Sequence, residues 1–173
     1  YQGRDYVFSR VFWNEKLNPY PLGPSLVWLP ALTVVRLFSS DRFDLFHELA
    51  PGFTGIILMI AGLYFLEKYL LNYFHPKSVN LTIISLFLGS NVFYYSSFEP
   101  ALSHQPAFFI FSYILYLSQN FNYSIINILM LGTLFGFLPV TRIADSVLLI
   151  PLFFIFKFDL KKLYYFIIGF LIG

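Results

Sequence analysis

From Gln105 to Thr141 the sequence carries no charged residue. As one straight helix that run would extend about 55 Å at 1.5 Å per residue. The hydrocarbon core of a bilayer is only about 30 Å thick. The run must therefore fold back once, and the polar cluster Ser118-Gln119-Asn120-Phe121-Asn122 marks the turn. This predicts crossings near 105–118 and 124–140. Composition makes the lipid setting the expected one. With 58% hydrophobic and 22% aromatic residues but only 12% charged, and a mean hydropathy of +0.69, a chain of this size has too little buried volume to hide its apolar surface from water. Only helices and closed barrels satisfy the backbone in lipid. The apolar runs are continuous rather than alternating, which excludes a barrel.

The remaining runs complete an all-α polytopic transmembrane bundle. Residues 53–71, 79–97 and 143–156 read as further crossings, the last bent at Pro151. Residues 163–173 open another that the sequence cuts short. Pro24 to Phe38 contains Pro24 and Pro30 and is too short to span, so it reads as a juxtamembrane or re-entrant helix. The expected organisation is thus a loop over 1–51 holding the helix at about 24–38, followed by membrane helices over 52–173. The chain opens at Tyr1 and closes inside an apolar run. It reads as a piece of a larger polytopic protein cut at both ends.

A sidedness follows from this alternation. Asp5, Glu15, Asp41, Asp44, Glu48, Glu99 and Asp145 fall on one face, while Lys68, Lys77, Lys157, Lys161 and Lys162 fall on the other. Short basic loops favour the cytoplasm, which makes the acidic face extracytoplasmic. All five arginines lie on that acidic face and pull the other way.

Several chemistries are excluded early. There is no cysteine, which removes disulfides, thiolate catalysis and cysteine metal sites. His47, His75 and His104 show no metal-ligand spacing, so neither metal nor cofactor is expected. A net charge of +2 argues neither for nor against nucleic acid, and no nucleic-acid partner is expected.

Three polar stretches stand out against the apolar background. Tyr94 to Pro106 contains Glu99, Ser103 and His104, and ionisable groups at membrane depth are costly enough to be read as a site. Ser103 either donates to a phosphate oxygen or caps the helix expected to start at Gln105-Pro106. Arg142 and Asp145 lie three apart, as either an internal ion pair at a helix end or a phosphate-binding arginine beside a carboxylate. Tyr20 and Trp28, flanking Pro21-Leu22-Gly23-Pro24, read as interfacial anchors. Gly132-Thr133-Leu134-Phe135-Gly136 is a small-xxx-small pattern suited to close helix packing.

The stretches Tyr20-Pro21-Leu22-Gly23-Pro24…Pro30, Glu99-Pro100…Ser103-His104 and Leu138-Pro139-Val140-Thr141-Arg142…Asp145 occur in that order. In this they resemble the GT-C class of polytopic membrane glycosyltransferases, in the bacterial and archaeal branch related to protein mannosyltransferases and RgtA/B/C/D-like transferases. The resemblance implies inverting transfer of a sugar from a polyprenyl-phosphate donor to a lipid, glycan or protein acceptor, at the extracytoplasmic face of a cell inner membrane. It implies a carboxylate base in the first extracytoplasmic loop and groups that stabilise the departing phosphate. Here the sequence departs from the family, whose acid follows a first membrane helix that this chain lacks. Asp5 is the candidate base within the chain, and the family's own acid is expected upstream. Tyr20, Glu99, Ser103, His104, Arg142 and Asp145 become donor or acceptor contacts. The rival expectation is a transporter or flippase in which the same polar groups line a substrate path.

Overall fold

A computed structural model describes residues 22–39, 45–98 and 101–173. Every regular element among them is helical. The order is α1 (Leu22–Phe38), α2 (Leu45–Leu70), α3 (Pro76–Gly89), α4 (Asn91–Ser97), α5 (His104–Ser118), α6 (Ile125–Thr141), a 3-10 helix (Ile143–Leu148), α7 (Leu149–Ile155) and α8 (Leu160–Ile172).

Local chemistry explains where these helices begin. Ser124 caps α6 by accepting from the Asn127 amide at 3.3 Å, and Asp159 caps α8 by accepting from the Lys162 amide at 2.8 Å. Each satisfies one of the first-turn amides that has no partner within the helix. His75 does the same for α3 through Nδ1, with Pro76 in the first turn where its missing N–H costs nothing.

Besides earlier starts of α1 at Leu22 and α3 at Pro76, four features differ from the sequence expectation. Helix α2 begins at Leu45 and runs through Pro51 instead of starting at 53. The proline is the seventh residue of the helix and withholds one bond from it, the one an N–H there would make to the His47 carbonyl. The run 79–97 is not one helix: it breaks at Ser90, whose extended backbone separates α3 from α4. One hydroxyl closes both ends there, because Ser90 Oγ donates to the Leu86 carbonyl at 2.6 Å and accepts from the Val92 amide at 3.2 Å. The segment 143–156 changes from 3-10 to α geometry before Pro151, which sits harmlessly in the first turn of α7. Helix α8 starts at Leu160 rather than 163, held by the Asp159 cap.

Two pairs of helices that are not neighbours in sequence pack in parallel. Along α2 and α5 the contacts advance in step: Gly62 meets Phe108 and Phe109, Phe65 meets Tyr113 and Tyr116, and Gln119 Nε2 donates to the Tyr69 carbonyl at 2.6 Å. Along α6 and α8, Gly132 and Gly136 lie against the backbone at Phe166, Gly169 and Phe170. A Cβ on Gly132, Gly136, Gly169 or Gly173 would run into a carbonyl oxygen of the facing helix. The small-xxx-small pattern of α6 thus meets a second one on α8, Gly169-xxx-Gly173.

The core lies between α5, α6, α7 and α8. Ile110 and Ile114 of α5, Ile128, Leu131, Phe135 and Leu138 of α6, Leu152 of α7 and Phe166 of α8 are all buried in it. Phe135, Phe156 and Phe166 meet edge to face within it, the arrangement aromatic quadrupoles favour.

Helix α2 is built the opposite way from a soluble amphipathic helix. Its buried positions are the small or flexible Ala50, Gly55, Met59 and Gly62. Its exposed positions include Phe46, Leu49, Phe53, Ile57, Ile60 and Tyr64, which recur every three or four residues as an apolar stripe, with charged exposed positions only toward its two ends, at Glu48 and Lys68. Water disfavours such a face and lipid does not. At 26 residues it would extend about 39 Å, and among the described residues it is the one helix long and apolar enough to cross a membrane. Helices α1 and α6 are apolar but shorter, at 17 residues each. The break at Ser90 and the change of helix type before Leu149 shorten the other runs.

Candidate functional site

A cavity of about 640 Å³ opens among α2, the α3–α4 elbow, α5, the end of α6 and the 3-10 helix. Its polar lining comprises Ser90, Asn91, Tyr95, His104, Arg142 and Asp145. Its apolar lining includes Met59 and Leu66 of α2, Leu86 of α3, Ala107, Phe108 and Phe111 of α5, and Leu138 of α6. Along α5 the order is informative. His104 opens the helix, and the apolar positions follow one and two turns further on. The cavity therefore has a polar mouth where chain ends meet and apolar walls running into the bundle.

His104 is the first residue of α5 and is half-buried. Its imidazole stacks on the Tyr95 ring, with centroids 3.7 Å apart and planes 15° from parallel. Next to it Gln105 is fully buried, and its Nε2 donates to the Tyr95 carbonyl at 2.6 Å. That bond ties the last turn of α4 to the first turn of α5, which sets the ring of Tyr95 against His104. Pro106 completes the first turn of α5 at a position where no N–H is required.

Arg142 follows the last residue of α6 in extended conformation, and Asp145 lies three residues on in the 3-10 helix. Side chains three apart eclipse in 3-10 geometry. Arg142 Nη1 and Asp145 Oδ1 accordingly lie 3.5 Å apart, with the arginine 38% exposed and the aspartate 19%. The ion pair, one of the two arrangements the sequence left open, is present, on a 3-10 turn rather than an α-helix. The separation is long for a charge-assisted hydrogen bond, which closes to about 2.7–2.9 Å. A half-exposed pair of this kind is worth about 0–1 kcal/mol. The guanidinium is therefore lightly held and can be recruited by an anion that enters the cavity.

The sequence candidates divide accordingly. His104, Arg142 and Asp145 come together around one cavity although they are nearly forty residues apart in the chain. Ser103 is not in its lining, and the expectation that it caps the next helix is overturned. Its backbone is already in the right-handed helical region and its hydroxyl makes no capping bond. A cap needs an extended residue to aim its oxygen at the helix amides, and the preceding turn leaves Ser103 coiled. Asp5, Tyr20 and Glu99 lie outside the described residues. Trp28 is half-buried with its Nε1 inside the protein, where it meets no hydrogen-bond partner among the described residues. That is not the wet indole expected of an interfacial anchor.

Tyr95, Gln105, Ser90 and Asn91 are site residues that sequence reasoning passed over. The signal for the last two was present: Gly89-Ser90-Asn91 combines a helix stop with a favoured cap. Tyr95 and Gln105 carried no such signal, since neither residue type at a helix end announces a partner ten residues away. No three histidine or acidic side chains gather as metal ligands among the described residues.

The chain matches no family model, no curated protein and no solved structure.

Proposed function

We propose that the chain forms part of a polytopic membrane glycosyltransferase of the GT-C type. It would move a sugar from a polyprenyl-phosphate donor to a lipid, glycan or protein acceptor at the extracytoplasmic face. The observation that carries this reading is the cavity itself. It joins a mouth containing His104, Tyr95 and the loosely paired Arg142 to walls of leucine, methionine and phenylalanine. An amphiphile with an anionic head and an isoprenoid tail is complementary to both parts at once. The inside-out face of α2 and the bulk apolar composition support a bilayer around it.

In the proposed reaction the acceptor hydroxyl oxygen attacks the anomeric carbon. The bond from that carbon to the phosphate oxygen breaks, and the electron pair leaves with the phosphate. A carboxylate takes the acceptor proton. Arg142 and His104 hold the phosphate, and charge that grows there in the transition state is stabilised by donors already in place. Asp145 keeps the guanidinium at the mouth until the anion arrives. The base is assigned to a carboxylate outside the described residues, with Asp5 the candidate within this chain.

The test is capture of a photoreactive polyprenyl monophosphate by the protein in lipid nanodiscs. His104→Ala and Arg142→Ala should each lower capture about tenfold, the effect of losing a hydrogen bond to a charged group, with Arg142→Lys intermediate. Equal capture by all forms would remove the donor reading. One observation favours the rival, because helices broken inside the membrane are a feature of transporter sites and the α3–α4 elbow would be such a break in the proposed bilayer. Flux of a labelled solute with no covalent sugar product would decide for a transporter.

A further inference from the structure

Helices α5 and α6 run between two ends of the molecule. His104 opens α5 at the cavity mouth and Arg142 follows the last residue of α6 there, while Ser118 and Ile125 lie at the other end. Two hydrogen bonds gather the chain connections at that other end. Gln119 Nε2 donates to the carbonyl of Tyr69, in the last turn of α2. The Lys157 amide donates to the Tyr123 hydroxyl at 2.9 Å. The connections 71–75, 119–124 and 156–159 therefore form one rim.

The charge on this rim is mostly of one sign. Lys68, Lys77, Lys157, Lys161 and Lys162 stand there against two carboxylates, Glu67 and Asp159. Asp159 is taken up by Lys162, 3.0 Å away, whose ammonium also lies 4.9 Å from the centre of the Tyr123 ring. Lys77, Lys157 and Lys161 are exposed. Interleaved with them in sequence are Tyr73, Phe74, Leu160 and Tyr164, each more than half exposed. Water suits the ammoniums and not the rings or the leucine, and hydrocarbon suits the reverse. The edge of a bilayer takes both, with aromatic rings at head-group level and lysine stems lying along apolar surface while their ammoniums reach outward. Helix length points the same way. At 15 and 17 residues, α5 and α6 extend about 22 and 25 Å, short of the roughly 30 Å of a hydrocarbon core. Such a shortfall is met when long flanking side chains reach out to the interface.

We propose that this rim is a seat for anionic phospholipid of the surrounding bilayer, with Lys77, Lys157 and Lys161 on the phosphates and Phe74, Leu160 and Tyr164 among the upper acyl chains. Charge complementarity selects the partner, because a zwitterionic head group brings as much positive charge to the lysines as negative. The seat rests on the membrane setting alone and not on sugar transfer. It lies a helix length away from His104 and Arg142.

The experiment places the protein in nanodiscs of phosphatidylcholine with a minor fraction of phosphatidylglycerol. After gentle extraction, mass spectrometry reads the ratio of the two lipids retained against their bulk ratio. Wild type should be enriched in phosphatidylglycerol. Lys157→Gln and Lys161→Gln should each lower the relative affinity about fivefold, the effect of one lysine near an anionic surface, and Lys157→Arg should stay close to wild type. The bond from Lys157 to Tyr123 uses the backbone amide and survives both substitutions. Arg36→Gln removes a positive charge at the end of α1, which meets the start of α2 far from the rim, and should leave the ratio unchanged. No enrichment in wild type, or an equal loss in Arg36→Gln and Lys157→Gln, overturns the proposal. Capture of the polyprenyl monophosphate should hold at the wild-type level in both glutamine variants, and its loss along with phosphatidylglycerol would overturn a separate seat. Wild-type protein that enriches phosphatidylglycerol but captures no polyprenyl monophosphate overturns the donor reading alone.

Discussion

The α6–α8 seam and the α2–α5 seam are built on one plan and finish differently. Each joins two parallel helices across a returning element. In the first, Gly132 and Gly136 face Gly169 and Gly173, and the two backbones come so close that no Cβ fits at any of the four. In the second Gly62 faces the Phe108 ring, and Phe65, Phe109, Tyr113 and Tyr116 stack alongside it. Aromatic rings hold helices apart where glycine lets them touch. The aromatic seam borders the cavity that carries the proposed site, and none of the four glycines of the other seam lines it. One half of the molecule is a clamp and the other is a chamber.

The largest effect should come from breaking the clamp. Gly136→Val drives a Cβ, with two methyl groups beyond it, against the Phe170 carbonyl oxygen, a backbone obstacle that cannot rotate away. Overpacking of this kind costs about 1–3 kcal/mol and more where backbone must move, so the variant should lose most of its folded population in detergent thermal unfolding. Gly89 provides the contrast, since nothing lies within 4 Å of a Cβ built there. Gly89→Ala should be neutral or stabilise by up to about 1 kcal/mol through backbone entropy. Equal melting temperatures for the two variants would erase the distinction between seam and open helix end.

A smaller effect should come from the chamber. Gln105→Ala removes the bond to the Tyr95 carbonyl at a fully buried position and should cost about 1–3 kcal/mol. If Gln105 acts by setting Tyr95 against His104, the same variant should also weaken capture of the polyprenyl monophosphate. Loss of stability with undiminished capture would confine Gln105 to the fold.

The smallest effect lies at the far end of the clamp. Hydrogen bonding from the Lys162 amide, with help from the Lys162 side chain 3.0 Å away, holds the Asp159 carboxyl below its ordinary range. A carboxyl depressed in the folded state contributes stability above its unfolded value and loses that contribution as pH falls through its folded value. Asp159→Asn keeps a competent cap but not the charge. Its melting temperature should sit slightly below wild type at pH 7, and the gap should close on acidification. A gap that widens in acid would contradict the assignment.

Much of the helix order was legible because apolar runs and turn clusters mark it directly. Helices α5 and α6 lie within two residues of where an uncharged run forced to fold back would place them. The elbow at Ser90 escaped because an uninterrupted lack of charge looks the same whether or not a hydroxyl caps a new helix inside it. The lost cap at Ser103 has a related cause: a serine before a helix is only an opportunity, and the backbone angle of the preceding turn decides whether it is taken. In the site, His104, Arg142 and Asp145 drew notice as ionisable groups in an apolar chain. Their partners Tyr95 and Gln105 are common residues whose role depends on what folding brings opposite them.

By itself the sequence determined an all-helical chain. Its long apolar runs offer no alternation for strands, and a backbone with few polar neighbours must satisfy its hydrogen bonds within each segment. It also placed a guanidinium and a carboxylate three residues apart, within reach of each other, and left open whether the arginine would pair or hold a phosphate. Only the tertiary structure decided which seam would close and which would stay open. That choice depends on whether glycines four apart on one helix meet glycines four apart on another, and contact between distant segments is not written in either segment alone. The cavity, and with it the meeting of Asn91, Tyr95, His104 and Arg142, follows from that difference in packing.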